Sequence, residues 1–107
     1  MSHYRSNLRD TVFTLFEVLG REEVLGVGPW ADLDRETAEA ILSELDHLAR
    51  TKLADTFASS DRHPPVFDPE TRTVAVGEDF KRSYRALLDS GAWALELPED
   101  LGGQPSP

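Results

Sequence analysis

The sequence predicts a mainly α-helical, all-α type of fold, and three observations support this prediction. Apolar residues recur at helical spacing in three stretches, within residues 6–20, 34–60 and 78–91. Each stretch begins at a polar residue suited to cap a helix or ends at a glycine suited to stop one. Prolines and alternating apolar residues around 64–76 predict a short hairpin or an extended loop. We therefore expect a helical bundle with one short non-helical segment.

The first predicted helix is capped by Ser6 or Asn7 and ends at Gly20, which can adopt the left-handed conformation. Its apolar stripe consists of Leu8, Val12, Leu15, Phe16 and Leu19, with Phe13 and Val18 lying off the stripe. More than half of the circumference is apolar, which is more than one buried face requires. Two alternatives follow. Either the helix is deeply buried in the small core of this chain, or one of its faces contacts a partner or another domain.

Residues 21–33 read as a loop, because Gly26, Gly28 and Pro29 interrupt regular structure. We expect Trp30 to anchor this loop on the core rather than to bind a ligand. The predicted organisation is an N-terminal extension over residues 1–33, made of a helix and a loop. A helical domain follows over residues 34–107 and is incomplete at its C-terminus.

The longest predicted helix begins after Asp34, a favourable N-cap residue, and extends to about residue 60. At 1.5 Å per residue its apolar stripe runs to roughly 35 Å, which suits the edge of a larger bundle. A further helix opens at Glu78 or Asp79 and ends at Gly91. Four apolar residues of that helix are expected to face inward, namely Phe80, Tyr84, Leu87 and Leu88.

The charge and composition exclude several classes of function. The formal net charge is −9, which argues against a nucleic-acid partner or an anionic membrane surface. The chain contains no cysteine, so it has no disulfide, thiolate metal site or cysteine nucleophile. No apolar run reaches the ~18 residues of a membrane span, and no secretory signal is recognisable. We therefore expect a cytoplasmic protein.

The polar residues do not predict a self-contained active site. Nearly all carboxylates fall on polar helix faces or in turns, where they are expected to be solvated. The three histidines, His3, His47 and His63, lack the spacing of a metal-binding motif. We expect no catalytic, cofactor-binding or metal-binding residue in this chain.

An ordered series of short motifs between Phe57 and Gly103 resembles the N-terminal helical domain of the acyl-CoA dehydrogenases. The matching residues are Asp61-Arg62, Pro64-Pro65, Lys81-Arg82, Gly91, Leu97, Pro98-Glu99 and Gly102-Gly103. The opening stretch "MSHYRSNLRDTVFTLFEVLG" is similar to the N-terminal extension of one bacterial branch of that family. With both parts, the resemblance covers nearly the whole chain.

The resemblance implies that the chain is the N-terminal portion of a flavin enzyme. A complete member carries FAD, dehydrogenates the α,β bond of an acyl-CoA thioester in fatty-acid β-oxidation, and passes electrons to an electron-transfer acceptor. It usually forms a homodimer or homotetramer. This chain would supply one wall of the acyl pocket and contacts between domains or subunits, and it would bind no FAD and be inactive alone.

Three leucines are candidates for the acyl-pocket side, namely Leu95, Leu97 and Leu101. The alternative is that these leucines make core or domain-interface contacts. Alone, the chain is expected to expose an apolar patch larger than the few hundred Å² of a typical monomer and to bind an apolar-surface dye. Two other interpretations stay open: a small helical interaction or assembly module, or an unrelated acidic helical protein.

Overall fold

The computed structural model describes residues 3–107, so Met1 and Ser2 of the predicted N-terminal extension lie outside the described residues. Within that range the fold is mainly helical, as predicted. The longer elements are α1 (Leu8–Phe13), α2 (Arg35–Leu48), α3 (Ala54–Arg62), β1 (Val66–Asp68), β2 (Thr73–Ala75) and α4 (Glu78–Asp89). Two π-helical turns, Thr14–Val18 and Ala49–Leu53, and four 3-10 turns, Arg21–Val24, Gly28–Trp30, Ala92–Glu96 and Glu99–Leu101, complete the helical structure.

The first helical run begins at Asn7, whose side chain accepts a hydrogen bond from the Asp10 backbone N–H at 3.3 Å. It continues through the π turn and ends at Gly20, where φ is +60°. The predicted cap and stop are therefore both present. Phe16 is buried, whereas Phe13 and Val18 are exposed, as their positions off the stripe indicated, and Leu19 is exposed as well.

Helices α2 and α3 form one continuous rod through the second π turn, from Arg35 to Arg62, about 40 Å long. Asp34 caps it, because its Oδ1 accepts from the Thr37 backbone N–H at 2.7 Å. The N-terminal residues lie beside this rod. Arg50 Nη2 donates to the Ser6 carbonyl oxygen at 3.2 Å, and the rings of His3 and Phe57 lie 4.7 Å apart.

Strands β1 and β2 form the predicted hairpin and pair antiparallel, with Phe67 opposite Val74. The turn is organised by Asp68, whose Oδ1 accepts from the backbone N–H groups of Glu70 at 2.9 Å and Thr71 at 3.4 Å. All residues of both strands are exposed. The hairpin therefore projects from the helical rod without covering it.

Helix α4 contacts α3, but the expected orientation of its apolar stripe is wrong. Phe80, Tyr84, Leu87 and Leu88 are 38–54% exposed rather than packed inward. Periodicity establishes that a helix has an apolar face, but it does not identify which element covers that face. Among residues 3–107, no element encloses it.

The described residues enclose very little core. Phe16 and Ala94 are the buried apolar residues, and Thr56 is the most buried polar one. The accessible surface is 8333 Å², whereas a compact monomer of this mass exposes roughly 6,000 Å². The radius of gyration is 17.6 Å, against roughly 13 Å for a compact domain of this length. The chain is an open, elongated arrangement of helices with much apolar surface facing solvent.

Candidate functional site

An apolar groove lies between the first helical run and α2, and we call it the α2 groove. It encloses about 160 Å³. Its N-terminal wall includes Leu15 and Phe16, and its α2 wall includes Ile41, Leu42 and Leu45. Ala38 also belongs to the α2 wall. The remaining side is formed by Leu25, Leu33, Leu95, Ser106 and Pro107, with Arg21 also lining the space. Apolar side chains from three separate parts of the chain therefore meet here.

Arg35 fixes the N-terminal wall of the groove to α2. Its guanidinium lies over the Phe16 ring, 4.7 Å from the centroid. Its Nε donates to Glu39 Oε1 at 2.8 Å, and its Nη1 donates to Glu22 Oε2 at 3.1 Å. The hydrogen bonds from Arg35 to Glu39 and then to Glu22 raise the pKa of Arg35 above its ordinary value. One cation thus joins three elements, and Phe16 is held where it lines the groove.

The role of Arg35 was not predicted from the sequence, although a signal was present. A cation in the first turn of a helix faces the positive end of the helix dipole, which is unfavourable without a partner. An arginine directly after the Asp34 cap therefore indicates a specific acidic or aromatic partner. Which partner it contacts depends on how residues 16–22 fold back, and local sequence does not specify that.

The three predicted leucines occupy different environments. Leu95 lies in the α2 groove. Leu97 is half-buried, and its carbonyl lies so close to Gly103 that a Cβ at that position would collide with it. Leu101 is 66% exposed. Leu97 and Leu101 do not line the groove that contains Leu95, so the structure does not bring the three side chains into one pocket.

The C-terminal residues lie against the 3-10 turn that carries Leu95. The Gln104 backbone N–H donates to the Ala94 carbonyl at 2.8 Å. Both the N–H and the hydroxyl of Ser106 donate to the Leu95 carbonyl, at 3.1 and 3.2 Å. These bonds direct the backbone towards the α2 groove, where Pro107 forms part of the lining.

The titratable groups of residues 3–107 do not form an acid/base or metal centre. No group of three His, Asp or Glu side chains in this range is placed to hold a metal ion. Local hydrogen bonds lower the pKa of Asp34, through Thr37, and of Asp68, through the Glu70 and Thr71 amides. The hydrogen bond from Lys81 lowers the pKa of Glu78. Each of these three groups is an exposed carboxylate that is stabilised in its charged form. A general acid requires the opposite, a carboxyl group whose pKa is raised.

The α2 groove and the depression beside it do not fit a flavin. The α2 groove is smaller than the roughly 300–1,000 Å³ of a typical ligand pocket. A wider depression of about 560 Å³ lies on the neighbouring side of α2, and its charged residues are Lys52 and Glu44. One lysine and one glutamate do not supply the converging donors that a diphosphate needs.

The comparisons with known proteins identify the relatives of this chain. No family model matches it. The chain is, however, 50% identical over all 107 residues to the broad-specificity linear acyl-CoA dehydrogenase FadE5 of Mycobacterium tuberculosis. The predicted resemblance to the acyl-CoA dehydrogenases is confirmed. The chain spans 18% of the length of that acyl-CoA dehydrogenase. In residues 3–107, no helix is both long and apolar enough to cross a membrane.

Proposed function

We propose that this chain is the N-terminal helical portion of a cytoplasmic, FAD-dependent acyl-CoA dehydrogenase. The complete enzyme would dehydrogenate the α,β bond of acyl-CoA thioesters in fatty-acid β-oxidation, with FAD accepting the hydride. It would pass the electrons to an electron-transfer acceptor and assemble as a homodimer or homotetramer. The chain itself would be inactive, because it contributes neither the catalytic base nor a flavin site.

The observation that carries the proposal is the large exposed surface of the chain, considered together with its similarity to one part of a longer acyl-CoA dehydrogenase. A segment that spans 18% of an acyl-CoA dehydrogenase would leave its interdomain faces uncovered. The surface exceeds that of a compact monomer by more than 2,000 Å², about the scale of a large obligate interface. The apolar face of α4 and the hairpin residues Val66, Phe67 and Val74 are prominent parts of it.

Within this proposal, the chain supplies one wall of the acyl pocket. Leu97 and Leu101 follow the turn at Ala92–Glu96, and among the described residues Leu97 is half-buried and Leu101 is exposed. Leu95 would support that wall from the α2 groove beneath it. The division into an N-terminal extension over 1–33 and a helical domain over 34–107 belongs to the same proposal, with Arg35 joining the two parts.

The proposal is tested by comparing this chain with the protein encoded by the whole open reading frame. Both are purified and assayed for flavin absorbance and for acyl-CoA oxidation with an artificial electron acceptor. A yellow, active complete protein beside a colourless, inactive 107-residue chain is the expected result. A complete protein that binds no flavin and oxidises no acyl-CoA would contradict the enzyme assignment and favour a helical interaction or assembly module.

A further inference from the structure

The hairpin of β1 and β2 has two strand edges that pair with nothing among residues 3–107. It is a two-stranded sheet, so each strand is paired on one side only. All residues of both strands are exposed. A lone two-stranded hairpin is at best marginally stable in water, whereas a sheet of three or more strands with an apolar face is stable. The hairpin is therefore suited to pair with a further strand.

The two edges differ in how they are protected against pairing. Proline lacks the backbone N–H that a sheet ladder needs, and prolines flank β1 on both sides, with Pro64 and Pro65 before it and Pro69 after it. No proline lies between residues 70 and 97, and residues 73–77 carry no charge. Prolines and charged side chains are the usual means by which proteins keep edge strands from pairing. The edge of β2 is therefore the open one.

We propose that β2 pairs antiparallel with β2 of a second copy of this chain, about a two-fold axis at Val74. The pairing joins two hairpins into one four-stranded sheet, whose outer edges are the proline-flanked β1 strands. A contact about a two-fold axis is closed, so it joins two copies and no more. The inference deepens the proposed function and rests on it, because it assigns a subunit contact to the homodimer or homotetramer expected of the complete enzyme.

The proposed register brings apolar side chains together on one face of the sheet. Phe67 and Val74 are directly opposite each other in the hairpin, so they lie on the same face, and both are exposed. Pairing about Val74 sets this valine beside the same valine of the second copy. The two valines and the two phenylalanines then form one row across four strands. This row extends the apolar face over enough strands for a stable sheet.

The same register brings opposite charges together at both ends of the contact. Arg72 makes no ion pair with any residue in 3–107. Pairing about Val74 sets Arg72 opposite Val76 of the second copy, and Glu78 of that copy is then its diagonal neighbour. Diagonal neighbours lie about 7–8 Å apart, within reach of long side chains. By symmetry, two such Arg72–Glu78 contacts form between the copies.

Disulfide trapping in the complete protein tests the proposal. Val74→Cys introduces one thiol per chain at this position, so a disulfide between two position-74 thiols necessarily joins two copies. Phe67→Cys is the matched control, because Phe67 lies on the same face of the same hairpin and is similarly exposed. In the proposed sheet the two position-67 residues are three strand spacings apart, about 14 Å, which is too far for a disulfide.

Both variants are oxidised mildly, and the linked peptides are identified by mass spectrometry, which separates them from links through any other cysteine of the complete protein. The position-74 link is expected to form at least roughly tenfold faster than the position-67 link, because only residues held in contact react at a high effective concentration. No position-74 link, or equal rates at the two positions, would overturn the proposal.

Flavin content is measured on the same samples before oxidation, so that the two proposals can fail separately. A flavin-containing protein without the position-74 link refutes the strand pairing and leaves the enzyme assignment standing. The position-74 link in a flavin-free protein supports the strand pairing and refutes the enzyme assignment.

Discussion

The guanidinium of Arg35 lies over the ring of Phe16, 4.7 Å from its centroid, and joins the first helical run to the start of the long rod. The same guanidinium contacts Glu22 and Glu39, so it pairs with two carboxylates while covering an aromatic face. Arginine suits this position because its planar group stacks and donates several hydrogen bonds at once. The N-terminal residues therefore belong to the same folded unit as α2.

Removing this contact should loosen the N-terminal residues. In Arg35→Ala, hydrogen exchange of the amides in residues 14–25 should accelerate roughly two- to fivefold, the scale expected for an exposed ion-pair cluster. Arg35→Lys keeps the charge but loses the planar stacking and should give an intermediate rate. Arg9→Ala removes an exposed arginine of the same helical run and serves as control. Equal exchange in all three variants would show that Arg35 does not hold this segment.

Phe16 and Phe13 make a matched pair on the first helical run. Phe16 is buried, whereas Phe13 is 51% exposed. Phe16→Ala should lower the free energy of unfolding by about 3 kcal/mol, since it removes a buried ring and leaves a cavity. Phe13→Ala in the 107-residue chain should change it by less than about 0.5 kcal/mol. Denaturant unfolding followed by circular dichroism measures both, and a comparable loss from the two substitutions would contradict the assigned burial.

Acidification should weaken the rod at its N-terminus. Hydrogen bonds from Thr37 lower the pKa of Asp34 below its ordinary value of 3.8. Because the folded pKa is the lower one, the charged cap stabilises the fold above the unfolded pKa. This stabilisation is lost as the pH falls through the folded pKa.

Asp34→Asn isolates this contribution, because asparagine keeps an acceptor oxygen but does not titrate. The native chain should melt at a higher temperature than Asp34→Asn at about pH 6, and this difference should be smaller at about pH 3. A difference that stays constant across that range would exclude a role for the Asp34 charge.

Leu97→Trp tests the proposed wall of the acyl pocket in the complete enzyme. If Leu97 borders the acyl chain, the larger ring should shorten the preferred substrate. We expect kcat/KM for the longest accepted acyl-CoA to fall roughly tenfold relative to a short one, the scale of a change in a hydrophobic pocket. Glu70→Trp, in the exposed turn between β1 and β2, is the control. If the dependence of kcat/KM on acyl chain length is unchanged, Leu97 does not border the acyl chain.

Local sequence signals predicted the elements well and their packing poorly. The Asp34 cap, the hairpin around 64–76 and the stop at Gly20 depend on neighbouring residues, and all three were recognisable from the sequence. The π turn at Ala49–Leu53 was not, because a shift in hydrogen-bond register leaves the apolar periodicity almost unchanged.

The exposed stripe of α4 could not be predicted for a different physical reason. Phe80 and Leu87 lie on one helix face whether that face meets this chain or another part of a larger protein. Likewise, the separation of Leu95 from Leu101 depends on the turn at Pro98–Leu101 and on the close approach of Gly103 to Leu97. These are tertiary contacts that spacing alone does not encode.

The central claim is that apolar faces of this chain are covered in a longer acyl-CoA dehydrogenase, and the α4 stripe tests it most directly. The double substitution Phe80→Ser and Leu87→Ser is made in the 107-residue chain and in the complete protein, with Arg85→Ser on the same helix as control. In the 107-residue chain the free energy of unfolding should change by no more than about 1 kcal/mol per site, because Phe80 is 49% exposed and Leu87 is 38% exposed. In the complete protein the double substitution should cost at least about 4 kcal/mol, as for two buried side chains. Equally small changes in both proteins would show that this face remains in solvent and would contradict the account.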